Sequence, residues 1–182
     1  MKECTLKRSS SLLALSGMVA LTVLGGRALT AADKDTVQVP GGLAMSEFKG
    51  YEDWSVVATS ETDELMKVMV ANPAMIAAYK SGIPLNGKPF PEGATIVKIE
   101  WTKKKNPEAP FDVKIPDTLK DVLFITKDSK RFAASAGWGY AQFNHDARSG
   151  GFTPEGSGSD CGHVCHTIVK AKDYIFTAYG KR

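Results

Sequence analysis

Cys161, Cys165 and His166 are the residues whose types and spacing point most directly to chemistry. They lie in the run Asp160-Cys161-Gly162-His163-Val164-Cys165-His166. This C-x-x-x-C-H run is one residue longer than C-x-x-C-H, the signature of c-type haem attachment. In that chemistry two thiols add to the vinyl groups on one porphyrin edge, and the histidine after the second thiol becomes the proximal ligand of the iron. The extra residue demands a larger loop over that edge, and Gly162 is expected to supply it by taking a backbone angle that other residues avoid. Three other readings stand beside this one. A local Cys161–Cys165 disulfide suits an oxidising compartment. A zinc site is disfavoured, because structural zinc sites draw on two separated ligand pairs and not on one short run. The third reading is chance.

The elements that must carry this segment start with an export signal. Lys2, Lys7 and Arg8 precede an apolar stretch from Leu12 to Leu24, which ends in Leu29-Thr30-Ala31-Ala32. Residues 1–32 read as a cleaved signal peptide, too short and too interrupted in its apolar part for a stable membrane anchor. Cys4 lies ahead of the apolar run, so a lipid anchor is also disfavoured. The expected location is the periplasm or another exported site, where c-type haem is attached. Removing Lys2, Lys7, Arg8, Arg27 and Glu3 from 23 bases and 20 acids leaves a formally neutral remainder. No basic stripe calls for nucleic acid, and Lys103-Lys104-Lys105 reads as a solvated strand end or loop. The remaining length of about 150 residues suits one domain with its own core.

Residues 33–47, polar and carrying Pro40-Gly41-Gly42, are expected to be a flexible lead-in. Alternation of apolar residues predicts strands over Tyr51–Ser60 and Glu64–Val70. Asn72-Pro73 predicts a helix start, with asparagine as cap and proline in the first turn, and Gly82 and Pro84 a stop. Ala94–Thr102 is the clearest strand. Its period places Lys98 with Ile96 and Glu100 on one face, opposite Val97, Ile99 and Trp101. Residues 103–119, with Pro107, Pro110 and Pro116, are expected to be an excursion between strands. Strands follow at Val122–Thr126 and Gly137–Phe143, with a short helix or turn over 127–136. Residues 146–162 are expected to form a flexible glycine-rich loop. The fold class is therefore α+β, a predominantly antiparallel β-sheet with a few short helices and the haem near the C-terminal segment.

With these residues in view, the chain resembles the cytochrome P460 family, which also contains the cytochromes c′-beta. The resemblance runs from Tyr51-Glu52-Asp53-Trp54 and Asn72-Pro73 through Glu92-Gly93-Ala94-Thr95-Ile96-Val97-Lys98 and Lys127-Asp128-Ser129-Lys130-Arg131-Phe132. It continues with Gly137-Trp138-Gly139-Tyr140, Cys165-His166 and Lys172-Asp173-Tyr174-Ile175-Phe176-Thr177. It implies a haem domain over residues 48–182, a homodimer, haem c bound through Cys161 and Cys165, and His166 as proximal ligand. For Lys98 it implies a covalent bond to a meso carbon of the porphyrin, as in a P460-type cross-linked haem. The implied activity is oxidation of hydroxylamine at a five-coordinate iron, with electrons passed to a redox partner cytochrome. Such enzymes place a carboxylate on the distal side, and alignment through Lys127–Phe132 puts Leu123 at or near that position.

Two further functions compete with this oxidase. An apolar distal pocket at Leu123 favours binding or scavenging of nitric oxide, as in a cytochrome c′-beta. An electron carrier would want a sixth ligand, for which Met66, Met69 and Met75 are available, although methionine at these spacings is usually core. Trp138 and Tyr140 read as core or haem-wall aromatics, His145 as a solvated loop residue, and Glu100 as a partner of Lys98.

Overall fold

A computed structural model describes residues 36–40, 42–155 and 159–181, the last stretch without the side chains of 159–161. The expected signal peptide lies outside these residues. Among the described residues six strands occur in chain order: β1 (Ser55–Glu61), β2 (Leu65–Ala71), β3 (Thr95–Lys105), β4 (Lys114–Lys127), β5 (Trp138–His145) and β6 (Phe152–Pro154). Helix α1 (Pro73–Lys80) separates β2 from β3, and α2 (Ser159–His166) follows β6. The strands form one antiparallel sheet in the order β1-β2-β3-β4-β5-β6, so each strand lies beside its neighbour in sequence. The α+β reading, with a few short helices on an antiparallel sheet, matches this architecture. Among the described residues no helix is long and apolar enough to cross a membrane.

Asn72 shows why α1 begins where it does. Its Oδ1 accepts the N–H groups of Met75 at 3.0 Å and Thr95 at 3.2 Å, while its Nδ2 donates to the Gly93 carbonyl at 2.8 Å. One side chain thus caps the helix and ties it to the start of β3. Proline in the first turn loses no helical hydrogen bond.

The alternation of side chains gives the sheet two covered faces. Val70, Val97, Val122, Phe124, Ala141 and Phe143 point to one side and pack with Leu43, Phe48 and Tyr51. Phe124 stacks on Phe48 at 4.1 Å between ring centroids. Met69, Ala71, Ile96, Trp138 and Tyr140 belong to the opposite core, together with residues of α1 and with Ile175 from the C-terminal segment.

Cross-strand register orders this second face in rows. One row reads Ala71, Ile96, Ile125, Tyr140; the next reads Met69, Lys98, Leu123, Gln142; the third reads Lys67, Glu100, Asp121, Asn144. Directly opposed residues of antiparallel strands share a face. The face therefore grades from apolar to charged within three rows, and Lys98 stands at the boundary.

Four sequence expectations are corrected. The stretch before Phe48 is not loose: Val37, Val39, Leu43 and Met45 are buried, and Gln38 bridges Ala44. Four apolar side chains spaced around a turn are enough to dock it on the core. Residues 103–105 and 114–119, expected within an excursion over 103–119, are strand, and β3 and β4 pair out to Lys105 and Lys114. Proline is tolerated at 116 beside an irregularity in the register. Within the expected loop 146–162, Phe152–Pro154 pairs with β5 and α2 starts at Ser159. His145 ends β5, with its ring against Phe152 and Nδ1 3.3 Å from the Leu119 carbonyl. The lysine run 103–105 does lie at a strand end, where Lys104 pairs with Asp117 at 2.9 Å.

Candidate haem site

Helix α2 carries the C-x-x-x-C-H run and lies on β5. Its approach is set by Gly162, where a Cβ atom would fall 2.6 Å from both Cβ and Cγ of Tyr140. Only glycine permits that contact. The expectation of an unusual backbone angle at Gly162 is corrected: the glycine is part of the helix and is not among those with positive φ. The extra residue between the cysteines is absorbed by regular helix, and Cys161 and Cys165 stand one turn apart.

His166 ends this helix, half-buried. Its Nδ1 lies 2.5 Å from the Tyr174 carbonyl. A carbonyl can only accept, so Nδ1 carries the hydrogen and the lone pair sits on Nε2. The ring is flanked by Tyr140 at 5.0 Å and Phe176 at 4.9 Å. Burial lowers the pKa of His166, the Tyr174 hydrogen bond opposes that, and the charges of Lys98 and His163 lower it further. The result is a neutral imidazole with a fixed tautomer, the form that ligates a metal, oriented by a backbone carbonyl. His163 packs between Tyr140 and Tyr174, with its Nδ1 buried and lacking a hydrogen-bond partner.

Lys98 occupies the middle row of the face that Tyr140 shares. Its side chain is 35% exposed and its Nζ lies 2.7 Å from Oε1 of Glu100; Lys67 reaches the same oxygen at 3.2 Å. Burial pushes the Glu100 carboxyl up, but hydrogen bonding and charge from Lys98 and then Lys67 outweigh it, so its pKa is lowered. The pairing of Lys98 with Glu100 expected from strand periodicity is thus present.

Directly across from Glu100 stands Asp121, 9% exposed, whose Oδ1 has no hydrogen-bond donor. Burial and then the Glu100 charge push its carboxyl up to about 6, against smaller opposing effects of Lys98 and Lys120. Two carboxylates and two lysines therefore share a small buried patch, and one carboxyl holds its proton far longer than the other. Leu123 is the residue opposite Lys98, partly buried.

The donor set fits haem c. Cys165 is exposed with a free thiol, beside exposed apolar Val164, Ile168 and Phe176. The side chain of Cys161 lies outside the described residues. Among the described residues no group of three or more histidine, cysteine or acidic side chains is arranged to hold a metal ion alone, as zinc would require. Met69 and Met75 are buried in the core, as are Trp138 and Tyr140. A cleft of about 690 Å³ opens elsewhere, lined by Glu47, Phe48, Trp54, Glu92, Ser129 and Arg131 among others. It contains neither Lys98 nor His166, and its acids are engaged, Glu92 by Ser129 and Glu47 by Arg131.

Sequence reasoning missed Lys67, Asp121 and the Tyr174 carbonyl. Asp121 was within reach, since it shares the parity of Leu123 on β4. The carbonyl left no signal in side-chain pattern. A comparison with curated proteins gives no match. The cytochrome P460 family model matches residues 48–177, a span holding the whole sheet, Lys98, both cysteines and His166, and the chain belongs to that family of haem c cytochromes.

Proposed function

We propose that the protein is an exported mono-haem cytochrome that oxidises hydroxylamine, with the haem held by Cys161 and Cys165, ligated by His166 and cross-linked to Lys98. The observation that carries this reading is the position of Lys98, one row along the sheet face from Tyr140, whose ring flanks that of His166. Haem c, when bound, supplies one-electron redox chemistry at an iron with an open coordination position. The chain's own contribution is positional and electrostatic. His166 presents Nε2 while Tyr174 holds the other ring nitrogen. Glu100 draws the Lys98 ammonium to a defined place. Asp121, its carboxyl pushed up to about 6 by burial and the Glu100 charge, is ionised at neutral pH and stands one row from Lys98 as a base that can take up an N–H or O–H proton released by a substrate. Electrons pass to a partner cytochrome, and the working form is a homodimer in the periplasm.

Leu123 favours a second reading, in which the protein binds or scavenges nitric oxide without turnover, because an apolar residue opposite Lys98 suits neutral diatomic ligands. Mass and optical spectra of the mature protein, co-expressed with haem-attachment machinery, separate the two. Covalent haem with a strongly red-shifted ferrous Soret band, lost in Lys98→Arg, supports the oxidase. An ordinary c-type spectrum supports gas binding. Apoprotein with an oxidised Cys161/Cys165 pair overturns both.

A further inference from the structure

Two consecutive residues after the 3-10 stretch Thr167–Lys172, Asp173 and Tyr174, take left-handed backbone angles, with φ of 48° and 64°. Neither is glycine. Side chains make this conformation unfavourable, and it persists where the surroundings impose it. Here the surroundings converge on the Asp173 carboxylate. Oδ2 accepts the Phe90 N–H at 2.8 Å, Oδ1 accepts the Trp138 indole N–H at 3.3 Å, and Lys127 Nζ stands 3.2 Å from Oδ1. The three donors come from the loop before β3, the end of β4 and the start of β5. Lys127 is itself buried, donates to the Ala136 carbonyl at 3.2 Å and lies over the Trp138 ring.

On the other side of Tyr174 the chain is fixed by Ile175, which is buried in the second core. The turn itself is closed by Asp173 N–H to the Lys170 carbonyl and Tyr174 N–H to the Val169 carbonyl. The Tyr174 carbonyl therefore sits between two anchors, and it is the group that meets His166 Nδ1.

We propose that Asp173 is a positioning residue for the iron ligand: by pinning the left-handed Asp173–Tyr174 turn to three strands and loops of the sheet, it fixes the Tyr174 carbonyl and thereby the tautomer and orientation of His166. The consequence for iron rests on the haem reading above; the effect on the histidine does not. A hydrogen bond from the distant ring nitrogen raises the basicity of the ligating one, so the turn tunes the strength of the ligand as well as its place. A residue that only fastened the C-terminal segment would alter stability and leave the state of the imidazole alone.

The test uses the full mature chain labelled with nitrogen-15 at histidine, as wild type and as Asp173→Ala. Long-range proton–nitrogen correlation reads the tautomer of His166, assigned by single replacements of His145 and His163. The expected result is a His166 held as the Nδ1–H form in wild type, with that preference lost in Asp173→Ala. Retention of the Nδ1–H form in a folded Asp173→Ala overturns the proposal. Should that variant not fold, Asp173→Asn is read the same way, since it keeps an acceptor for the Phe90 N–H and loses the charge facing Lys127; a weakened preference supports the proposal and an unchanged one overturns it. On the haem-loaded protein the ferrous iron–histidine stretch should move to lower frequency in the variant, and an unmoved band counts against the proposal. Wild type that carries no haem overturns the haem reading instead, and the tautomer measurement still decides the role of Asp173.

Discussion

Replacing Asp121 with asparagine should make the protein more stable at neutral pH and remove part of its pH dependence. The carboxyl has an ordinary value of 3.8 and is pushed up to about 6 in the fold, by burial first and the Glu100 charge second. Below the lower value both the folded and the unfolded chain hold the proton, so there is no differential. Between the two values the unfolded chain has released it while the folded chain keeps it, and stability falls as pH rises. Above the upper value the folded chain has also ionised and the loss is complete. A shift of about two units corresponds to about 3 kcal/mol, at about 1.4 kcal/mol per unit. Glu100 acts with the opposite sign: its lowered pKa stabilises above the ordinary carboxylate range, and that contribution is lost as pH falls. Asparagine has nearly the shape of aspartate and no charge to desolvate. Urea unfolding of both proteins in steps from about pH 4 to about pH 8 should give a difference near zero at the acid end, growing to about 3 kcal/mol in favour of asparagine by about pH 7. A difference that does not change with pH, or a wild-type advantage at neutrality, would refute the assignment of a retained proton to Asp121.

Other perturbations reach the same site from different sides. Gly162→Ala forces a methyl into Tyr140 and should lift α2 from β5; a loss of about 1–3 kcal/mol in denaturant unfolding, with a lower haem-to-protein ratio, is the expected outcome. Leu123→Glu places a carboxylate across from Lys98 and should raise hydroxylamine turnover by roughly 10²-fold if proton removal limits it, measured with an artificial electron acceptor. Asn72→Ala removes the cap of α1 and its tie to β3, and should cost about 2 kcal/mol in thermal or chemical unfolding while leaving the optical spectrum of the haem unchanged.

Much of this site was legible before any coordinates, because β3 is buried on both faces and still alternates. Val97 and Ile99 go to one core, Ile96 to the other, and the same period fixed the side on which Lys98 and Glu100 lie. The helix cap at Asn72 was legible for a different reason: its chemistry is local. What failed to show was structure made by distant partners. Residues 114–119 pair with the end of β3 where neither side of the ribbon is buried, so no burial pattern marks them as strand. Val37 and Val39 carry an alternation too short to outweigh the neighbouring Pro40-Gly41-Gly42. The Asp173–Tyr174 turn has no glycine to announce it, and its cause lies in Phe90, Lys127 and Trp138.

The nearest-neighbour order of the sheet bears on how the protein is made. Each strand from β2 onward pairs with the one just before it, so every pairing closes a single connection, the longest of them running from Asn72 to Ala94 between β2 and β3. The whole platform precedes α2 in the chain, whereas the hydrogen bonds that hold the turn beside His166 reach back from Asp173 to Phe90, Lys127 and Trp138. Sheet formation can therefore run ahead of the cysteine segment, which on the proposed function would still be accessible to the attachment machinery. On the proposed haem attachment, docking of the tail on Phe90, Lys127 and Trp138 would be the step that turns a solvent-facing attachment segment into a finished metal site.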